Sequence, residues 1–119
     1  MKQALVIEDN ENNMVLISRI LNNSGYGVLE AETGKIGLEK ALTCAPDFII
    51  LDIQLPDILG SEVVQMLRQQ GSTVPVIAMT SYAMSGDREK LLALGCDGYI
   101  EKPIDPMLVI SQIEAVLHA

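Results

Sequence analysis

The chain has 119 residues, 49% hydrophobic and 20% charged, which gives material for one core and excludes both intrinsic disorder and two ordinary domains. Sixteen acids against 8 bases leave a formal charge of -8, the opposite of the clustered Lys and Arg that nonspecific nucleic-acid or anionic-membrane binding needs. No apolar run is long enough to span a membrane, and Leu5-Val6-Ile7 is too short for a signal peptide, so the chain reads as cytoplasmic, suited to a cation or a basic protein partner.

Short apolar runs alternate with longer amphipathic ones. Ala4–Ile7 predicts the first strand, and Ile17, Ile20 and Leu21 mark one face of a helix over 11–23. A second strand over Gly27–Glu30 leads to a helix over 34–44, whose face is Leu38, Ala41 and Leu42. Phe48–Leu51 and Val74–Met79 are apolar throughout, as strands covered on both faces are. Between them a helix over 59–70 shows Val63 and Leu67. The pattern closes with a helix over 85–94 (Leu91, Leu92, Leu94), a strand over Gly98–Ile100 and a helix over 106–118 (Ile110, Ile113, Leu117). Asp105-Pro106 reads as an N-cap followed by proline at the first helical position. Gly25, Gly71 and Gly95 follow helix ends, where a left-handed residue is often needed.

Aromatic residues are only Tyr26, Phe48, Tyr82 and Tyr99, so the core is expected to be aliphatic and rich in methionine. Cys44 and Cys96 are far apart and lack zinc-ligand spacing, which predicts two reduced, mostly buried thiols. His118, the sole histidine, ends the last helix, where a cation is favoured, and is not read as a metal ligand.

Five strands alternating with five helices predict an α/β fold: a flavodoxin-like (βα)5 doubly wound sandwich with a parallel sheet in the order 2-1-3-4-5. Ligands of such sheets bind at the carboxyl ends of the strands where the winding reverses, here between strands one and three.

Polar residues gather at those strand ends. Glu8-Asp9 directly after strand one is either a solvated, acidic helix entry or half of a cation site, since two adjacent, partly buried acids repel. Asp52 after strand three is either a helix cap or a third carboxylate facing the same volume. Thr80 after strand four is a turn hydroxyl or a donor at that edge, and Lys102 after strand five is a surface lysine or an ammonium at its rim. Pro103 leaves the Lys102-Pro103 peptide open to either isomer. Together, three carboxylates against one ammonium leave two negative charges, which one Mg²⁺ would neutralise.

With the acid pair, the aspartate, the threonine and Lys-Pro at these intervals, the chain resembles the response-regulator receiver domain of two-component signalling, over essentially its whole length. The resemblance implies that Asp52 is the phospho-acceptor, taking a phosphoryl group from the phosphohistidine of a histidine kinase or histidine phosphotransfer protein. It implies Mg²⁺ held by Asp9, Asp52 and the backbone carbonyl of Gln54, with Glu8 acting through water. Thr80 and Lys102 would contact phosphoryl oxygens, and Tyr99 would be the switch aromatic that reshapes the face of helix four, strand five and helix five. Gln54 and Tyr82 would border the phosphoryl group and tune its hydrolysis, with bulky Tyr82 shielding it. A homodimer on activation and an unidentified downstream protein target follow as partner expectations, with no direct nucleic-acid or membrane contact.

The expected organisation is one receiver domain over 1–119 with no output domain in this chain, working as a switch and not as a turnover enzyme. Met1 just before the first strand suggests a natural start. A receiver cut from a hybrid kinase or DNA-binding regulator is the alternative. An aspartate-nucleophile phosphatase commonly places a general acid where Gln54 stands, and a flavin or nucleotide carrier would need a phosphate loop where Glu8-Asp9-Asn10-Glu11 would repel phosphate.

Overall fold

The computed structural model describes residues 2–81 and 85–118. Its elements, in chain order, are β1 (Gln3–Ile7), α1 (Glu11–Asn23), β2 (Gly27–Ala31), α2 (Gly34–Thr43), β3 (Phe48–Asp52), α3 (Gly60–Gln69), β4 (Val76–Thr80), α4 (Ser85–Ala93), β5 (Gly98–Glu101) and α5 (Val109–Leu117). The sheet is parallel at every pairing and runs β2-β1-β3-β4-β5, the order expected from the sequence. Two crossovers therefore leave the β1/β3 pair in opposite directions and open a crevice at their carboxyl ends.

Strand side chains alternate between two cores, because the pleat sends successive residues to opposite faces. Ala4, Val6, Phe48, Ile50, Ile77 and Met79 pack with α1 and α5 through Ile17, Leu21, Val109 and Ile113. Leu5, Ile7, Ile49, Leu51, Val76 and Ala78 pack with α2, α3 and α4 through Ala41, Val63, Leu67 and Leu91. Every residue of β3 and β4 is buried, which explains their uninterrupted apolar sequence up to the polar residue that ends each.

Several expectations are corrected. The inner face of α2 is Gly34, Gly37 and Ala41, and Leu42 is exposed. Small residues let that helix lie close on the sheet: a Cβ at Gly37 would fall 2.4 Å from Ile7 Cδ1. Leu92 is also exposed, while Leu91 turns inward. Among the described methionines only Met14 and Met79 are in the core, so it is aliphatic without being methionine-rich. Cys96 is buried, its thiol pushed up to about 11 by burial, whereas Cys44 is exposed. β4 begins at Val76 because Pro75 has no N–H to donate and the Val74 carbonyl is taken by Arg68.

α5 begins at Val109, not at Pro106. Asp105 caps a turn instead: its Oδ1 accepts from Met107 N at 2.9 Å and its carbonyl accepts from Leu108 N and Val109 N. Gly25, Gly71 and Gly95 have φ of +89°, +83° and +108°, as their places after helix ends predict.

Arg68 ties the end of the molecule opposite the crevice. Its guanidinium donates to the carbonyls of Ser72 (3.1 Å), Val74 (2.8 Å) and Gly95 (2.8 Å) and pairs with Asp97 Oδ2 at 3.2 Å. Asp97 Oδ2 also accepts from Val76 N at 2.8 Å. Arg68→Met keeps the stem and removes all four donations, and should destabilise the fold by about 2–3 kcal/mol. A urea midpoint unchanged in this variant would show that water satisfies those carbonyls equally well. Among the described residues no helix is long and apolar enough to cross a membrane.

Candidate functional site

The pocket is assembled from the carboxyl ends of β1, β3, β4 and β5. Asp52 is the last residue of β3 and 4% exposed. Its Oδ1 accepts from Gln54 N at 3.0 Å, and its Oδ2 lies 3.1 Å from Lys102 Nζ. The same ammonium stands 3.5 Å from Glu8 Oε1, so one cation bridges the carboxylates that follow β1 and end β3. The Lys102-Pro103 peptide is cis.

Glu8 is the deeper of the two adjacent acids: it is 1% exposed, whereas Asp9 is open to solvent. Neither Glu8 oxygen has a hydrogen-bond partner among the described residues. Burial pushes the Glu8 carboxyl up to about 7, the Asp52 carboxylate beside it adds to the rise, and Lys102 and Asn13 oppose it. One oxygen from each of Glu8, Asp9 and Asp52 lies within 4.8 Å of the others. Three hard oxygen donors converging on one point, one of them buried without a hydrogen-bond partner, fit a hard divalent cation. An acidic cleft of about 390 Å³ adjoins them, lined also by Glu11, Glu30 and Glu32, which attracts cations from solvent.

Thr80, the last residue of β4, is 7% exposed and stands in register with Glu101. The Thr80 carbonyl accepts from Lys102 N at 2.8 Å, continuing the β4–β5 ladder to the rim. Tyr99 on β5 is half-buried against the core on the α2–α4 side. The Gln54 side chain is exposed. Tyr82 lies outside the described residues.

Sequence reasoning missed two neighbours of the pocket. Asn13, in the first turn of α1, faces Glu8; its place relative to Asn10, which caps that helix through Asn13 N at 3.0 Å, was the available signal. Asp57, in the loop after β3, reaches across to α2, and no local sequence pattern announces a partner 23 residues away.

Fold and pocket together define a flavodoxin-like α/β protein with an acidic, lysine-bridged site at its topological switch point. The sequence matches the response regulator receiver domain over residues 4–114. The polar-differentiation response regulators DivK of Brucella anthropi and Brucella ovis are each 39% identical to it over 118 residues, 98% of this chain and 96% of theirs. The chemotaxis response regulator CheY4 of Vibrio cholerae superposes with a TM-score of 0.92 at 27% identity over 98% of both chains. A CheY-like receiver domain protein of Methanospirillum hungatei gives 0.90 at 29% identity, over 99% of this chain and 94% of the other.

The chain belongs to the response regulator receiver domain family of two-component signalling. Receiver domains are signalling switches, not classical enzymes. They bind Mg²⁺ at an acidic pocket and interact with histidine kinases or phosphotransfer proteins; in this chain Glu8, Asp9 and Asp52 form an acidic cluster.

Proposed function

We propose that Asp52 accepts a phosphoryl group from a partner's phosphohistidine. A carboxylate oxygen of Asp52 forms the new P–O bond as the P–N bond breaks, and the imidazole nitrogen leaves with the electron pair. The observation that carries this reading is the double restraint on a nearly buried Asp52: Gln54 N holds one oxygen and Lys102 Nζ the other. A carboxylate so held is positioned without rotational freedom, and the ammonium already stands where negative charge will gather.

In this reading Asp9, Asp52 and the Gln54 carbonyl would hold Mg²⁺, with Glu8 acting through water. The ion offsets the charge of the incoming phosphoryl group. Lys102 pairs with one phosphoryl oxygen and Thr80 donates its hydroxyl to another. The Gln54 side chain borders the group and, with Tyr82, tunes its lifetime against water.

Thr80 and Tyr99 then carry the change outward. Tyr99 lies on β5 and lines a surface cleft with Leu92, Gln112 and Val116, and in this reading a shift of Thr80 toward the phosphoryl group alters the packing of the α4–β5–α5 face. The phosphorylated form favours a second arrangement of that face, which a downstream protein or a second copy of the chain reads.

The test is incubation with Mg²⁺ and acetyl phosphate followed by intact mass measurement. The expected result is a single base-labile phosphoryl adduct that requires Mg²⁺ and is absent from Asp52→Asn. An adduct of equal yield in that variant would overturn the assignment.

A further inference from the structure

Asp57 is in the β3–α3 loop, outside the groups placed in the pocket. Its Oδ1 accepts from Gly34 N at 2.8 Å and its Oδ2 from Lys35 N at 3.0 Å. One carboxylate thus joins the loop that follows Asp52 to the first turn of α2. The neighbouring contact is equally close: a Cβ at Gly34 would fall 2.4 Å from Ile58 Cγ1. A residue larger than glycine there would hold the loop away from the helix.

The other end of the loop is closed as well. Gly60 N donates to the Ile53 carbonyl at 2.9 Å, and a Cβ at Gly60 would lie 2.6 Å from the Asp52 carbonyl oxygen. The loop is therefore fixed at its base by Gly60 and farther out by Asp57. Gln54 lies between these two fixings, and its N–H is the group that holds Asp52 Oδ1.

We infer that Asp57 is a positioning residue: by fastening the β3–α3 loop to the N-terminus of α2 it fixes the Gln54 backbone, which aims the Asp52 carboxylate and would present its carbonyl to the metal. The functional half of this inference rests on the reading of Asp52 as a Mg²⁺-dependent phospho-acceptor; the positional half does not. The charge at Asp57 is suited to the task. Desolvation is the largest single influence and raises its pKa, but the backbone N–H groups of Lys35, Gly34, Ile58 and Asp57 itself together outweigh it and hold it below the usual aspartate value. It stays ionised where the helix dipole favours an anion.

A plain helix cap would make the same two bonds, so the experiment separates the roles. Thr33 Oγ1 caps the same helix through Ile36 N at 3.2 Å and is not part of the loop. Thr33→Ala therefore weakens the α2 N-terminus and leaves the loop fastened by Asp57, whereas Asp57→Ala weakens it and frees the loop. For Asp57→Ala, Mg²⁺ affinity measured by calorimetry should fall about 10-fold, the usual scale for a group that supports a ligand from behind. The Gln54 amide resonance of the metal-free protein should also move. Asp57→Asn, which keeps one accepting oxygen, should recover part of both. Thr33→Ala should lose a comparable amount of thermal stability and keep the wild-type Mg²⁺ affinity and Gln54 resonance.

An unmoved Gln54 amide in Asp57→Ala would overturn the inference, as would equal changes in Thr33→Ala. If the wild type takes no Mg²⁺-dependent phosphoryl group, the proposed function falls, and the Gln54 resonance of the metal-free protein still decides whether Asp57 places that backbone. Should Asp57→Ala fail to fold, Asp57→Asn against Thr33→Ala makes the same comparison.

Discussion

Lys102→Met should slow phosphorylation of Asp52 by about 10²–10³-fold while leaving the chain folded, the scale seen when one preorganised donor to developing negative charge is removed. Lys102 Nζ is 3.1 Å from Asp52 and 3.5 Å from Glu8, with its side chain 19% exposed. Its charge is therefore little screened by solvent and acts on both acids. Methionine matches the apolar stem and leaves two carboxylates facing each other without the cation. Glu8 should then hold its proton more tightly, because the Lys102 charge that opposes the rise in its pKa is gone. Two results separate this from a general loss of structure: the defect should shrink at higher pH, which ionises Glu8, and at higher Mg²⁺, which supplies the missing positive charge. The measurement is the rate of adduct formation from acetyl phosphate, by intact mass, over a pH and Mg²⁺ series. A rate within a few-fold of wild type would mean that the metal alone supplies the charge and Lys102 serves a later step.

Glu8→Gln should stabilise the metal-free protein at pH 8 and leave it nearly unchanged at pH 4. The folded protein holds the Glu8 proton up to about pH 7, whereas the ordinary value is 4.5. Between those values the unfolded chain releases a proton that the folded chain retains, so stability falls as pH rises through this window and stays low above it. The shift corresponds to an upper figure of about 3 kcal/mol. Glutamine mimics the protonated acid and should remove the decline. Urea midpoints in EDTA at the two pH values give the answer, and parallel pH dependence in wild type and variant would refute it. Adding Mg²⁺ at pH 8 should restore the wild type more than the variant, since only the wild type carries a charge there for the ion to neutralise.

The sheet order was legible because short apolar runs alternate cleanly with period-3.6 patterns and β3 and β4 have no polar interruption before Asp52 and Thr80. Those two residues were conspicuous for the same reason: each ends a run of apolar residues. What was not legible lies in tertiary contacts. Leu42 fits a helical face by spacing, but Gly37 and the close approach of α2 to Ile7 decide what that helix buries. Asp105-Pro106 carries a helix-start signal, and the Asp105 side chain spends it on a turn to Met107. Adjacent Glu8 and Asp9 look equivalent in sequence, yet one is buried and the other is exposed, because consecutive residues leaving a strand point in opposite directions. Asp57 has no local signature, since its partners belong to a helix more than 20 residues earlier.

The strand order also divides the pocket by cooperativity. Glu8 and Asp52 extend from β1 and β3, which have a neighbour on each side, while Lys102 extends from β5, a sheet edge covered on one face by α5. Edge segments are the first to open in local unfolding, and central strands open with the whole molecule. A brief detachment of β5 and α5 would thus withdraw the ammonium and leave the acids in place. The lifetime of charge neutralisation in the pocket would then follow the fraying of an edge, on a timescale that global stability does not report.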